Sequence, residues 1–239
     1  MNSNYEETLD KNFDRALELC SNSYSYRDLI MFLKEGNIPE KQFAALELSE
    51  LKSEVDAEIF ISNLINCDGK IREAVAQKFT EFITNEKYRD YFSQFPLILA
   101  KSTIDINANI SRMIIDSLVY LRENKFFGIK YAELLVTYIE EAFEGLDKII
   151  YKDKKYTINK QMFKLYWCLE GLNNYSQYVE EKVLLEILEE SLKQTEYTVR
   201  EKAARIIAKN SKKPLFSDLF LLVQNDLNYY VRETVKDII

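Results

Sequence analysis

The densest set of chemically competent side chains is a run of cations. Between residues 199 and 213, Arg200, Lys202, Arg205, Lys209, Lys212 and Lys213 stand against one acid, Glu201. Unneutralised side chains of this kind bind anions, either an acidic protein segment or a nucleic-acid backbone. Lys164 and Trp167, the single tryptophan, join them as candidate partner-binding residues, the indole offering apolar contact area. Cations near a helix C-terminus also complement its dipole, so the run has a structural explanation beside the functional one. Catalysis has fewer footholds. With no histidine in the chain, histidine bases, histidine metal sites and histidine pH switches are excluded. Glycine-rich phosphate loops, nucleophile elbows and metal-ligand spacings are missing from the sequence as well. The acidic pairs Glu140–Glu141, Glu180–Glu181 and Glu189–Glu190 do not converge, because neighbours on a helix point about 100° apart. Cys20, Cys67 and Cys168 are odd in number and lack a C-x-x-C pair, which predicts three buried, reduced thiols in a cytoplasmic protein. No catalytic residue, no metal site and no cofactor is expected.

Behind the cations lies a repeat. Ile71-Arg72-Glu73-Ala74-Val75 recurs as Val199-Arg200-Glu201-Lys202-Ala203 and as Val231-Arg232-Glu233-Thr234-Val235, with a looser copy at Ile110-Ser111-Arg112-Met113-Ile114. A degenerate copy falls near Ile158–Met162. Arg72, Arg112, Arg200 and Arg232 are therefore candidate structural arginines, one per unit. Each box follows a turn-like segment and opens a helix with apolar residues at steps of four, three and one, as in Val199, Ala203, Ile206 and Ile207. Each is also preceded by an amphipathic stretch, at 55–65, 86–100, 129–146, 178–192 and 215–225. The unit is helix, tight turn, helix, about 32–48 residues long.

The punctuation agrees with an all-α chain. Five Gly and three Pro in 239 residues cannot supply the turns of a sheet-rich fold. Residues 5–20 read as an amphipathic first helix with an acidic start. Ser3/Glu6, Ser25/Asp28, Ser53/Asp56 and Thr198/Glu201 have capping-box spacing. Pro39 and Pro214 suit first helical turns, whereas Pro96 should break the helix around it. Gly36, Gly69 and Gly128 are expected in connections, and Gly145 and Gly171 as C-caps. The run 149–158 places two β-prone stretches around a charged centre, so a loop or hairpin insertion is expected over 147–157.

These arginine boxes and helix pairs resemble the HEAT-repeat family of α-solenoids, over residues 37–239. The resemblance implies a right-handed α-solenoid of about five helix pairs, with residues 1–36 as an N-terminal helical cap, forming a single domain. It further implies that the second helix of each pair lines a concave face. The charge partition puts net positive charge on those second helices and net negative charge on the first ones. A non-catalytic interaction module is expected, binding another protein along that face, in the cytoplasm. The alternative is a nucleic-acid-binding solenoid similar to HEAT-like glycosylases of alkylated DNA bases, whose pattern implies groove tryptophans beside a catalytic Asp. Trp167 has no Asp near it in sequence, and Asp116 in Ile115-Asp116-Ser117 has no aromatic neighbour. No apolar run approaches the roughly 18 residues of a membrane span, so no membrane partner is expected. The chain carries no polar helix after 230–239, so oligomers through an uncapped C-terminal repeat are an expectation.

Overall fold

The computed structural model describes residues 2–147 and 155–236. It is helical throughout, with no strand among the described residues. The chain forms two compact units, residues 1–121 and 122–239.

The first unit holds α1 (Asn2–Ser21), α2 (Tyr26–Glu35), α3 (Ile38–Glu47), α4 (Glu54–Ser62), α5 (Gly69–Phe82), α6 (Glu86–Phe92), α7 (Pro96–Thr103) and α8 (Ala108–Leu118). Consecutive helices pair, α2 with α3, α4 with α5 and α7 with α8. Alternate helices also stack: α1 on α3, α3 on α5 and α5 on α8 in one row, α2 on α4 and α4 on α6 in the other. Shared burial drives this. Phe60 and Phe82 meet at 5.4 Å and Phe79 and Phe92 at 4.9 Å, so α4, α5 and α6 are joined by one aromatic cluster. Each such ring is worth roughly 1.5–3 kcal/mol when fully removed from water.

The second unit holds α9 (Lys125–Asp147), α10 (Lys155–Leu172), α11 (Glu181–Leu192), α12 (Tyr197–Lys209), α13 (Ser217–Gln224) and α14 (Tyr229–Glu233). Here α9 pairs with α10, α11 with α12 and α13 with α14, while α10, α12 and α14 stack in one row and α11 lies against α13. Phe127, Tyr131 and Tyr175 form its aromatic centre, with Tyr131 and Tyr175 at 4.8 Å.

Several sequence expectations hold and others need correction. Ser25 and Asp28 form a reciprocal capping box, Ser53 caps α4, and Pro96 separates α6 from α7. Ser3 lies inside α1, which already runs from Asn2. Thr198 lies inside α12, whose N-cap is Glu196, a side chain that makes no capping bond. Gly128, Gly145 and Gly171 all lie within helices, and no described glycine has positive φ. The reason for Gly128 is a close approach: a Cβ there would sit 2.3 Å from the Tyr178 ring. Residues 148–154, the centre of the expected insertion, lie outside the described residues, while 155–158 belong to α10. The α2–α3 pair straddles residue 36, where cap and repeats were expected to meet.

Candidate protein-interaction surface

The repeated arginine has a definite job. Its place is four residues after the helix N-cap, where the side chain can turn back to the carbonyls of the preceding turn. Arg72 Nη1 donates to Cys67 O, and its Nε and Nη2 grip Asp105 at 2.6 and 3.1 Å. Arg200 Nη1 donates to Gln194 O and Thr195 O at 2.8 and 2.9 Å, and its Nε and Nη2 grip Asp226 at 2.8 and 3.1 Å. Each arginine thus ties its own turn to the turn of the next helix pair, in the two-pronged geometry that suits a guanidinium and a carboxylate. Arg232 Nη1 donates to Asp226 O in the same way. The acids are fixed in turn, because Asp105 accepts from Asn107 N–H and Asp226 from Asn228 N–H, both at 2.8 Å.

Arg112 stands apart. It is exposed and makes no hydrogen bond or ion pair among the described residues. The equivalent place, four residues after the N-cap Asn107, belongs to Ser111, which is buried and donates to Asp105 O at 3.1 Å. The signal was present in the six-residue separation of Asp105 and Ser111, the same as that of Asp226 and Arg232. Lys41 fills this place in α3 and donates to Asn63 Oδ1 at 2.9 Å. The sequence reading passed over both.

The basic run is mostly neutralised. Lys202 is buried and pairs with Glu170 of α10, its Nζ 2.8 Å from Oε2, although the approach angle is not that of a hydrogen bond. The same ammonium sits 4.7 Å from the centre of the Tyr166 ring, so Lys202 is unavailable to a partner and its place among the binding residues is corrected. Arg205 pairs with Glu201 at 2.7 Å, one turn away. Lys213 pairs with Glu181 at 2.7 Å, and Lys164 with Glu141 at 2.6 Å. Lys209 donates to Asn173 O at 2.7 Å. Burial lowers its pKa, the Glu170 charge opposes that shift and the Arg122 charge adds to it. Of the six cations, Lys212 alone is exposed with no bond among the described residues. Apart from Glu201 on α12 itself, these carboxylates come from α9, α10 and α11, out of reach of a reading confined to one helix.

Trp167 is also inside. It is 5% exposed, packed edge-on against Tyr166 and Phe163, and its Nε1 has no hydrogen-bond partner. A ring so placed cannot stack on a base from the surface. Asp116 lies on α8 of the other unit, exposed. What remains open on the α12–α14 face is a shallow cleft of about 520 Å³. Arg205 and Lys209 line one part and Glu201, Glu233 and Tyr230 the rest.

The cysteines divide. Cys168 is buried, and that burial drives its thiol pKa upward, with the Lys164 charge opposing. Cys67 is half-buried and Cys20 exposed, against the expectation of three buried thiols. No cluster of three metal-ligating side chains occurs among the described residues. No helix among them is long and apolar enough to cross a membrane. No protein-family model matches the sequence, and no curated protein matches it either.

Proposed function

We propose that the chain is a HEAT-like α-solenoid that acts as a non-catalytic protein-interaction module. On this reading the helix pairs are the repeats, α2–α3 adds a sixth to the five read from sequence, and α1 is the leading helix. The stacking of alternate helices in rows supports it, as do arginines that bind their own turn and the next one. Neighbours sharing a continuous core is the defining economy of repeat proteins. The partner segment lies along the α10–α12–α14 row, over the cleft that Arg205 and Lys209 line.

The observation that carries a protein partner over nucleic acid is charge balance. Binding to a phosphate backbone draws on cations that exchange counterions for phosphates. Here Arg200, Lys202, Arg205 and Lys213 already face Asp226, Glu170, Glu201 and Glu181. A mixed surface of acids, bases and Tyr230 is suited instead to a polypeptide with both polar and apolar groups. The test has two arms, both on the full chain. Titration with duplex DNA at low salt should give no saturable binding, and a protein recovered stoichiometrically with the native chain should be lost from Arg205→Glu/Lys209→Glu. Saturable DNA binding with a steep salt slope, removed by the same substitutions, would overturn the reading.

A further inference from the structure

A small pocket of about 350 Å³ opens where the α1–α2 turn, the start of α2 and the end of α3 meet. Every residue around it lies in the first unit, whereas the surface proposed above lies in the second. Ligand pockets run from about 300 to 1,000 Å³, so this one suits a small group or the end of a side chain. Three aromatic rings line it, Tyr24, Tyr26 and Phe43, together with the buried Leu29. Tyr24 and Phe43 stand 5.6 Å apart at 72°, so two of the rings meet nearly at right angles. The charged part of the lining is wholly acidic, Glu47 and Glu50.

Rings and carboxylates together select the occupant. The face of an aromatic ring is the negative pole of its quadrupole and attracts a cation. Glu47 adds to that field from the last position of α3, where the helix dipole is itself negative. No basic residue stands in that last turn, and the exposed Glu47 makes no hydrogen bond or ion pair among the described residues. A carboxylate so placed is disfavoured by its own helix, and a cation from elsewhere relieves it. The chain shows the preference itself at Tyr26, where the Lys52 ammonium lies 4.2 Å from the ring centre and 3.3 Å from Glu50 Oε1. Lys52 is not part of the pocket wall, so Tyr24, Phe43 and Glu47 remain for a second cation. Burial raises the Tyr26 phenol pKa, the bond from Lys52 N–H opposes that, and Asp56 and Glu50 add to it, as a negative surround requires. An anion is repelled by this wall, and a neutral apolar group leaves Glu47 without a counter-ion. We propose that the pocket binds an alkylammonium group, the head of a lysine-type side chain or of a free quaternary amine. The Tyr24 and Phe43 rings receive its methyl or methylene groups, and Glu47 is its counter-ion.

Calorimetric titration of the full chain at low salt tests this. The probes are N-acetyl-trimethyl-lysine amide, its neutral analogue with carbon in place of the ammonium nitrogen, and tetramethylammonium chloride. The trimethyl-lysine should bind saturably, and the neutral analogue about tenfold or more weakly. Glu47→Lys sets a like charge in the pocket and should weaken binding of the trimethyl-lysine by about tenfold or more. That position is exposed and a lysine suits a helix C-terminus, so its melting temperature should equal or exceed the wild type's. Tyr24→Leu keeps apolar bulk without the ring and should weaken binding about fivefold. Tighter binding of the lysine derivative than of tetramethylammonium assigns the cation to a side chain, and equal binding assigns it to a free amine. Either supports the pocket. Absence of saturable binding at millimolar trimethyl-lysine would overturn the proposal. So would a neutral analogue that binds equally well, or a folded Glu47→Lys variant with wild-type affinity.

Discussion

Arg200 serves two carbonyls of its own turn and one carboxylate of the next, so removing it opens both links together. Its side chain and that of Asp226 are 14% and 12% exposed, close to the buried regime in which deleting one partner of an ion pair is strongly destabilising. Arg200→Ala should cost about 2–3 kcal/mol in urea unfolding. The pH dependence carries a separate signature. Burial pushes the Asp226 pKa up, but hydrogen bonds from Arg200 and Asn228 N–H and the charges of Arg200 and Arg232 hold it below the ordinary value. A carboxyl depressed in the folded state contributes stability that is present above its unfolded pKa, about 3.9, and lost as pH falls through the folded value. The stability of Arg200→Ala should therefore fall less steeply than that of the wild type below about pH 5; parallel curves would show that the arginine does not set the Asp226 pKa. This pair was half legible in sequence. The spacing of Asp226 and Arg232 is visible, but that Asp226 also serves Arg200 from the preceding helix pair emerges only when the helices stack. Ser111 in place of Arg112 shows the same limit: a box read by residue type misplaces the function by one position, while a box read by distance from the N-cap does not.

Helix starts and stops follow local chemistry and were half legible in sequence: Ser25 and Ser53 cap as read, whereas Ser3 and Thr198 lie inside helices. Asn107, Asn228 and Asp68 each accept from the N–H two residues on, and Asn37 and Ser25 close reciprocal boxes. Phe95, Glu180, Glu196 and Phe216 cap α7, α11, α12 and α13 without a side-chain capping bond, Glu196 with an extended backbone at φ −74° and ψ 113°. A shorter acid at that place can reach the α12 N–H groups, so Glu196→Asp should stabilise by about 0.5–1 kcal/mol and raise the melting temperature by a few degrees; an unchanged melting temperature would refute the cap. Glycine was the least legible, because helix interiors use it for reasons that no local pattern shows. Gly128 admits the Tyr178 ring, and that ring is fixed by Tyr178 Oη donating to Arg122 O at 2.7 Å. Intrinsic propensity favours Gly128→Ala by about 1 kcal/mol, but the new methyl forces the ring or the helix aside at about 1–3 kcal/mol. The contact should win. Gly128→Ala should then unfold at lower urea than the wild type, whereas in a Tyr178→Ala background it should unfold at higher urea than Tyr178→Ala alone, by the gain in propensity.

The net charge of −7 is compatible with a basic α12 because acids that neutralise it stand elsewhere in the same unit, at Glu170 on α10, Glu181 on α11 and Asp226 in the α13–α14 turn. Charge along the sequence and charge in space are different quantities here, which is why the run at 199–213 read as a binding groove and folds as a largely ion-paired network. The same locality governs how the molecule responds to damage. The bonds of Arg200 stay within residues 122–239 and those of Arg72 within 1–121. Each unit also has its own aromatic centre, around Phe60 and Phe79 in the first and Tyr131 and Tyr175 in the second. Where elements touch mainly their neighbours, opening is sub-global, and its free energy belongs to the unit that opens. Hydrogen exchange on Arg200→Ala should therefore accelerate in peptides from α11 to α14, while peptides from α2 to α5 keep their wild-type rates. Arg72→Ala should produce the reverse pattern. Equal acceleration across both units under either substitution would mean that the chain opens as one cooperative body, and the division at residue 121 would have no energetic counterpart.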